Sequence, residues 1–77
     1  MSFNERYFNT WKSVWDLHKR YDGTPINDDE KWNRLLDEAQ NLKQQFKGCP
    51  EEEFAKSLIL ATCTEIERSS KENATTK

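Results

Sequence analysis

The groups in this chain that could do chemistry are few: one histidine, His18, two cysteines, Cys49 and Cys63, and two acidic runs, Asp28-Asp29-Glu30 and Glu51-Glu52-Glu53. His18 and Glu65 make the one acid–base pair with a geometric argument behind it. If the first and third helices run parallel, both residues fall at one height on inward stripes, with Trp32 beside them. No serine or cysteine nucleophile with backbone donors for an oxyanion is placed next to them. The expectation is a buried polar pair that supports the fold, or two residues that merely miss each other near the bundle end, and not a catalytic dyad.

Metal chemistry fares no better. A zinc site needs three or four nitrogen or sulfur ligands, and along one helix Cys49 and Cys63 would stand about 21 Å apart. That separation also forbids a disulfide between them, since bonded cysteines keep their Cα atoms within about 7 Å. The acidic runs lack the ligand spacing of an EF-hand loop and read as charges at helix N-termini. The two glycines, Gly23 and Gly48, build no phosphate loop and read as helix stops. Catalytic residues, a cofactor and a metal are not expected, and neither is enzymatic activity.

The elements that position these groups are legible from spacing. Ser2-Phe3-Asn4-Glu5 reads as a capping box, in which hydroxyl and carboxylate each satisfy a free backbone amide. It opens a helix over about 3–22 that stops at Gly23 ahead of Thr24-Pro25. A second box, Asn27-Asp28-Asp29-Glu30, opens a helix over 28–47, with Trp32, Leu35, Leu36, Ala39, Leu42 and Phe46 at amphipathic spacing. Gly48 closes it, and Pro50 followed by three acids opens a third helix over 50–69. Short connections turn successive helices antiparallel. The fold expected is all-α, an antiparallel up-down-up three-helix bundle over residues 1–70, with a disordered polar tail over 71–77.

Residues 3–21 carry most of the aromatic surface. At about 100° per residue, Phe3, Tyr7, Trp11, Val14, His18 and Tyr21 form one stripe, with Phe8 and Trp15 on one flank and Leu17 on the other. Matching heights puts Trp11 against Ala39 and Leu58, large facing small. Nine aromatic residues in a chain of 77 exceed the roughly six that such a thin bundle hides. Phe8 and Trp15 are the expected outcasts, joined by Leu60 on the third helix. They read either as the rim of a thin core or as a contact patch for a second copy or another protein.

Twelve basic and fourteen acidic residues give a net charge of -2, so no basic excess draws the chain to phosphate backbones. Nucleic acid is disfavoured as a partner, although the first helix has a slight basic surplus in Arg6, Lys12, Lys19 and Arg20. No apolar run of the roughly 18 to 20 residues that span a bilayer is present. The N-terminus lacks the plan of a signal peptide, and cytoplasmic localisation with free thiols is expected. No small-molecule ligand suggests itself.

The runs Trp11 to Tyr21, Trp32 to Leu42, Phe54-Ala55-Lys56-Ser57-Leu58-Ile59-Leu60-Ala61 and Glu65-Ile66-Glu67-Arg68 resemble short uncharacterised three-helix proteins encoded in the prophages and mobile elements of Gram-positive bacteria. The likeness lies in aromatic spacing and helix order, over Phe8 to about Lys71. It implies a bacterial mobile-element context and carries no activity and no site residues. The function expected is a protein-protein interaction or regulatory module that binds through the aromatic face of the first helix, with a homodimer as one form of that binding. The alternative is a small nucleic-acid-associated protein.

Overall fold

A computed structural model describes residues 2–75 of the chain, with side chains to Asn73. Three helices follow in order, α1 over Phe3–Tyr21, α2 over Asp29–Gln45 and α3 over Glu52–Thr75, and each packs against both others. Rings of Tyr7 and Phe54 meet at one end, and Ser70 reaches Thr24 at the other, so α1 and α3 run parallel with α2 reversed between them. This is the up-down-up bundle expected from the sequence. It is a narrow body, 47 × 20 × 17 Å along its principal axes.

The helix ends follow from local hydrogen bonding. The Ser2 hydroxyl accepts from the Glu5 amide at 3.2 Å and donates to the Glu5 carboxylate at 3.0 Å. Only half of the expected box forms, because the carboxylate turns to the hydroxyl. The cap of α2 is Asp28, whose side chain accepts from the Lys31 amide at 3.1 Å. Asn27 was expected there, but an aspartate one residue on caps equally well. Gly23 and Gly48 take φ of +79° and +83°, a left-handed conformation that any side chain would strain. Both sit in the turns that reverse the chain.

The third helix departs from expectation at both ends. Residues 49–51 form a tighter turn, with the Glu52 amide donating to the Cys49 carbonyl, before regular α-helix begins at Glu52. Beyond Ser69 the helix runs on to Thr75, through most of the stretch expected to be disordered; residues 76–77 lie outside the described residues. Two features carry it onward. The buried Ser70 hydroxyl donates to the Thr24 carbonyl at 2.6 Å, and exposed ion pairs join Arg68 to Glu72 and Lys71 to Glu67. The Thr24 hydroxyl in turn donates to the Tyr21 carbonyl, and the Trp32 indole N–H donates to the Pro25 carbonyl. Both α1–α2 connection and bundle end are thus tied down by side chains.

The core is Val14, Leu17, Tyr21, Leu35, Ala39, Ile59 and Ile66, with Trp32, Leu42, Leu58 and Cys63 half-buried against it. Thr10 is fully buried as well, its hydroxyl returned to the Arg6 carbonyl at 2.9 Å. The inward stripe of α1 is therefore Thr10, Val14, Leu17 and Tyr21, and Leu17 belongs to the core and not to a flank. Relative to the stripe expected through Tyr7, Trp11, Val14 and His18, the helix is rolled by about 60°. Small residues at the centre explain the roll. Thr10, Ala39, Ala55 and Thr62 are all buried, which lets the helices approach too closely for an indole to fit between them. Trp11 is 55% exposed, so it does not fill the layer with Ala39 and Leu58, and Leu36, expected on the amphipathic face of α2, is 58% exposed. Among the described residues no helix is long and apolar enough to cross a membrane.

Candidate functional site

The roll of α1 leaves an aromatic seam on the outside. Phe8, Trp11 and Trp15 are 64%, 55% and 57% exposed, and with the half-buried His18 they fall at steps of three, four and three residues. That spacing keeps them on one side of a helix, within about 80° of one another. Phe8 and Trp15 emerge at the surface as the sequence led us to expect. Trp11, expected in the core, joins them.

Rings and charges fix the seam in place. Phe3 stacks tilted on Tyr7 at 4.7 Å between centroids, Tyr7 on Phe54 at 5.2 Å, and Trp11 meets Phe54 edge-on at 5.5 Å. These contacts set the side of α1 that adjoins α3. Further along, the His18 ring stands edge-on to Trp15 at 6.0 Å, and the Lys19 ammonium lies 5.7 Å from the centre of the Trp15 ring. A recess of about 330 Å³ opens there, lined by Trp15, His18, Lys19 and Asp22. Asp16 accepts from Lys12 at 3.2 Å and pairs with Lys19 at 3.6 Å, and the Lys12 hydrogen bond is the main reason its carboxyl is held below the usual range.

The expected His18–Glu65 pair is not a buried one. Glu65 is exposed, and its two oxygens accept from the Arg68 guanidinium, which chiefly holds its carboxyl low; the His18 charge adds the smallest share. With Arg68 one turn along the same helix, a local bidentate pair wins over a partner across the bundle. His18 serves the seam instead.

Leu60 is 64% exposed, yet it does not join Phe8 and Trp15. Phe54 marks the α1 side of α3, and Leu60 lies about 120° away around that helix. It sits one turn before Thr64 and two before Glu67, which with Trp32, Leu36 and Cys63 line a separate recess between α2 and α3. The contact patch expected from the sequence is two patches.

Residues that might have carried other chemistry are engaged structurally. Burial pushes the Cys63 thiol up, which disfavours the reactive thiolate, and both cysteines are unpaired. Among the described residues no three His, Cys, Asp or Glu side chains gather as metal ligands would. The acidic run at the start of α3 is used structurally: Glu51 is buried against Arg6 of α1, Glu52 accepts from the Gly48 amide, and Glu52 and Glu53 both pair with Lys56. The Gly48 amide bond is the leading reason the Glu52 carboxyl is held below its usual range. On α1, Lys12 and Lys19 share Asp16, Arg20 binds Glu38 together with the Tyr21 hydroxyl, and Arg6 goes to Glu51.

The signal that could have found the seam lies in residue size. Of the two stripes on α1, Thr10-Val14-Leu17-Tyr21 is built from smaller side chains than the aromatic one, and small or branched side chains suit a closely packed three-helix centre. Compared with known proteins, the chain matches no family model, no curated protein and no solved structure, so neither an origin nor an activity is inherited from a relative.

Proposed function

We propose that this protein is an interaction module that offers the α1 seam of Phe8, Trp11 and Trp15 to an apolar helix face. A single observation carries the reading: three large aromatic side chains stand more than half exposed at heptad-like steps, while the core closes without them. Leaving them in water forgoes roughly 1.5 to 3 kcal/mol of burial apiece. Aromatic anchors are also the residues that dominate protein interfaces. The seam holds no built acid–base or metal site, which favours binding over catalysis. Nucleic-acid binding is the weaker reading, because the bases of α1 are each engaged by an acid of the same chain.

The test uses the protein's own tryptophans. A synthetic amphipathic helix of two or three heptads with leucine at a and d is titrated into dilute protein, and emission is followed. Docking, either of the peptide or of the protein on itself as its concentration rises, should move emission to shorter wavelength, and Phe8→Ser with Trp15→Ser should abolish the response while preserving helicity. Emission that responds to neither peptide nor concentration contradicts the reading.

A further inference from the structure

Resting on that reading, we infer that the occupant of the seam is a second copy of this chain, with α1 packed antiparallel on the partner's α1 and the neighbouring edge of α3 packed on its equivalent. Three observations converge on a two-fold arrangement. The first is registry. Reversing α1 about the level of Ser13 sets Phe8 opposite the partner's His18 and Trp11 opposite the partner's Trp15. On α3 the edge that adjoins α1 is Phe54, Leu58, Ala61 and Glu65, at steps of four, three and four. It is symmetric about a point between Ile59 and Leu60, where Leu58 faces the partner's exposed Ala61, large against small. Phe54 meets both Tyr7 and Trp11, which sets it midway between them in height and so places Ser13 level with about Leu58. One axis therefore serves both strips to within about 2 Å.

The second observation is charge. Glu5, Lys12 and Lys19 recur every seventh residue along the flank of the seam away from α3. In a parallel pair each would meet its own copy. Reversed, Glu5 comes within about 3 Å in height of the partner's Lys19, and only the Lys12 pair at the centre faces itself, each copy already neutralised by Asp16. Like charges are thus minimised in one orientation.

The third is area. At 150 to 250 Å² per aromatic side chain, more than half exposed, Phe8, Trp11 and Trp15 offer roughly 400 Å² per chain. Two copies bury about 800 Å² before the α3 edge is counted, and that edge carries the total past the roughly 1,000 Å² expected of a specific interface.

Sedimentation equilibrium tests the proposal. The expected mass is twice the 9.2 kDa chain, falling to a single chain for Trp15→Lys with helicity retained. Lys19→Glu should weaken association about tenfold, and adding Glu5→Lys should return it to within about threefold of the parent. A single-chain mass up to a few hundred micromolar overturns the proposal, and so does a dimer that survives Trp15→Lys. Failure of Glu5→Lys to rescue Lys19→Glu overturns the antiparallel pairing. A single-chain mass together with an emission response to the leucine peptide separates the outcomes: the seam then docks helices, but not its own.

Discussion

Ile59→Ala should cost about 3 to 4 kcal/mol and leave much of the chain unfolded at room temperature. Ile59 is fully buried two turns into α3, in the cluster that holds Val14 and Leu17 of α1 and Leu35 of α2. Removing its branched side chain takes away apolar burial and leaves a gap that three rigid helices close only in part. A domain of this size has roughly 3 to 5 kcal/mol in total, so the loss is comparable with everything that holds it. Leu60→Ala, one residue along, removes a side chain that is 64% exposed and should stay within about 0.5 kcal/mol of the parent. Urea unfolding followed by circular dichroism measures both. Equal losses at the two positions would mean that α3 is turned differently on the bundle.

Arg6→Leu should cost about 2 to 3 kcal/mol, far more than an ordinary surface arginine. The Glu51 side chain is 7% exposed, and its Oε1 atom lies 3.4 Å from the Arg6 guanidinium without a hydrogen bond. Removing the arginine strands a buried carboxylate, whose desolvation is then uncompensated. Since the arginine is itself 29% exposed, water reaches one side of the pair, and the lower end of the range for a broken buried pair applies. Adding Glu51→Gln should restore most of the loss, because a neutral amide then stands where the charge was stranded. Urea midpoints of the single and double variants decide the matter, and an absence of rescue by Glu51→Gln would show that Glu51 is not stranded.

Much of the architecture could be read from short-range signals. Gly23 and Gly48 mark the reversals because no other residue takes a positive φ without strain, and both adopt it here. The Ser2 cap and Glu52 at the start of α3 likewise act within one turn of their own helix ends. What escaped depends on how closely helices approach, which is a property of pairs of elements. The periodicity of α1 supports two overlapping stripes, and the small residues of α2 and α3 decide between them. That decision moves Leu17 inward and Trp11 outward.

The same limit explains the other misplacements. His18 and Glu65 share a height, but an exposed glutamate takes the arginine three residues along before it reaches across. Phe8, Trp15 and Leu60 share exposure, but exposure does not say which face a residue is on; the Phe54 contacts do. Beyond Ser69 the composition is that of a fraying end, and helix continues because Ser70 finds a carbonyl in a loop 46 residues away in sequence. No local pattern encodes that partner.

The account stands on which stripe of α1 faces inward, and one comparison reaches it directly: urea unfolding of Leu17→Ala and Trp15→Ala at a concentration where the protein sediments as a single chain. Leu17 is 3% exposed and Trp15 57%. Leu17→Ala should cost about 2 to 4 kcal/mol and Trp15→Ala less than about 0.5, although the tryptophan is much the larger side chain. A larger loss at Trp15 than at Leu17 would put the indole in the core and contradict the seam.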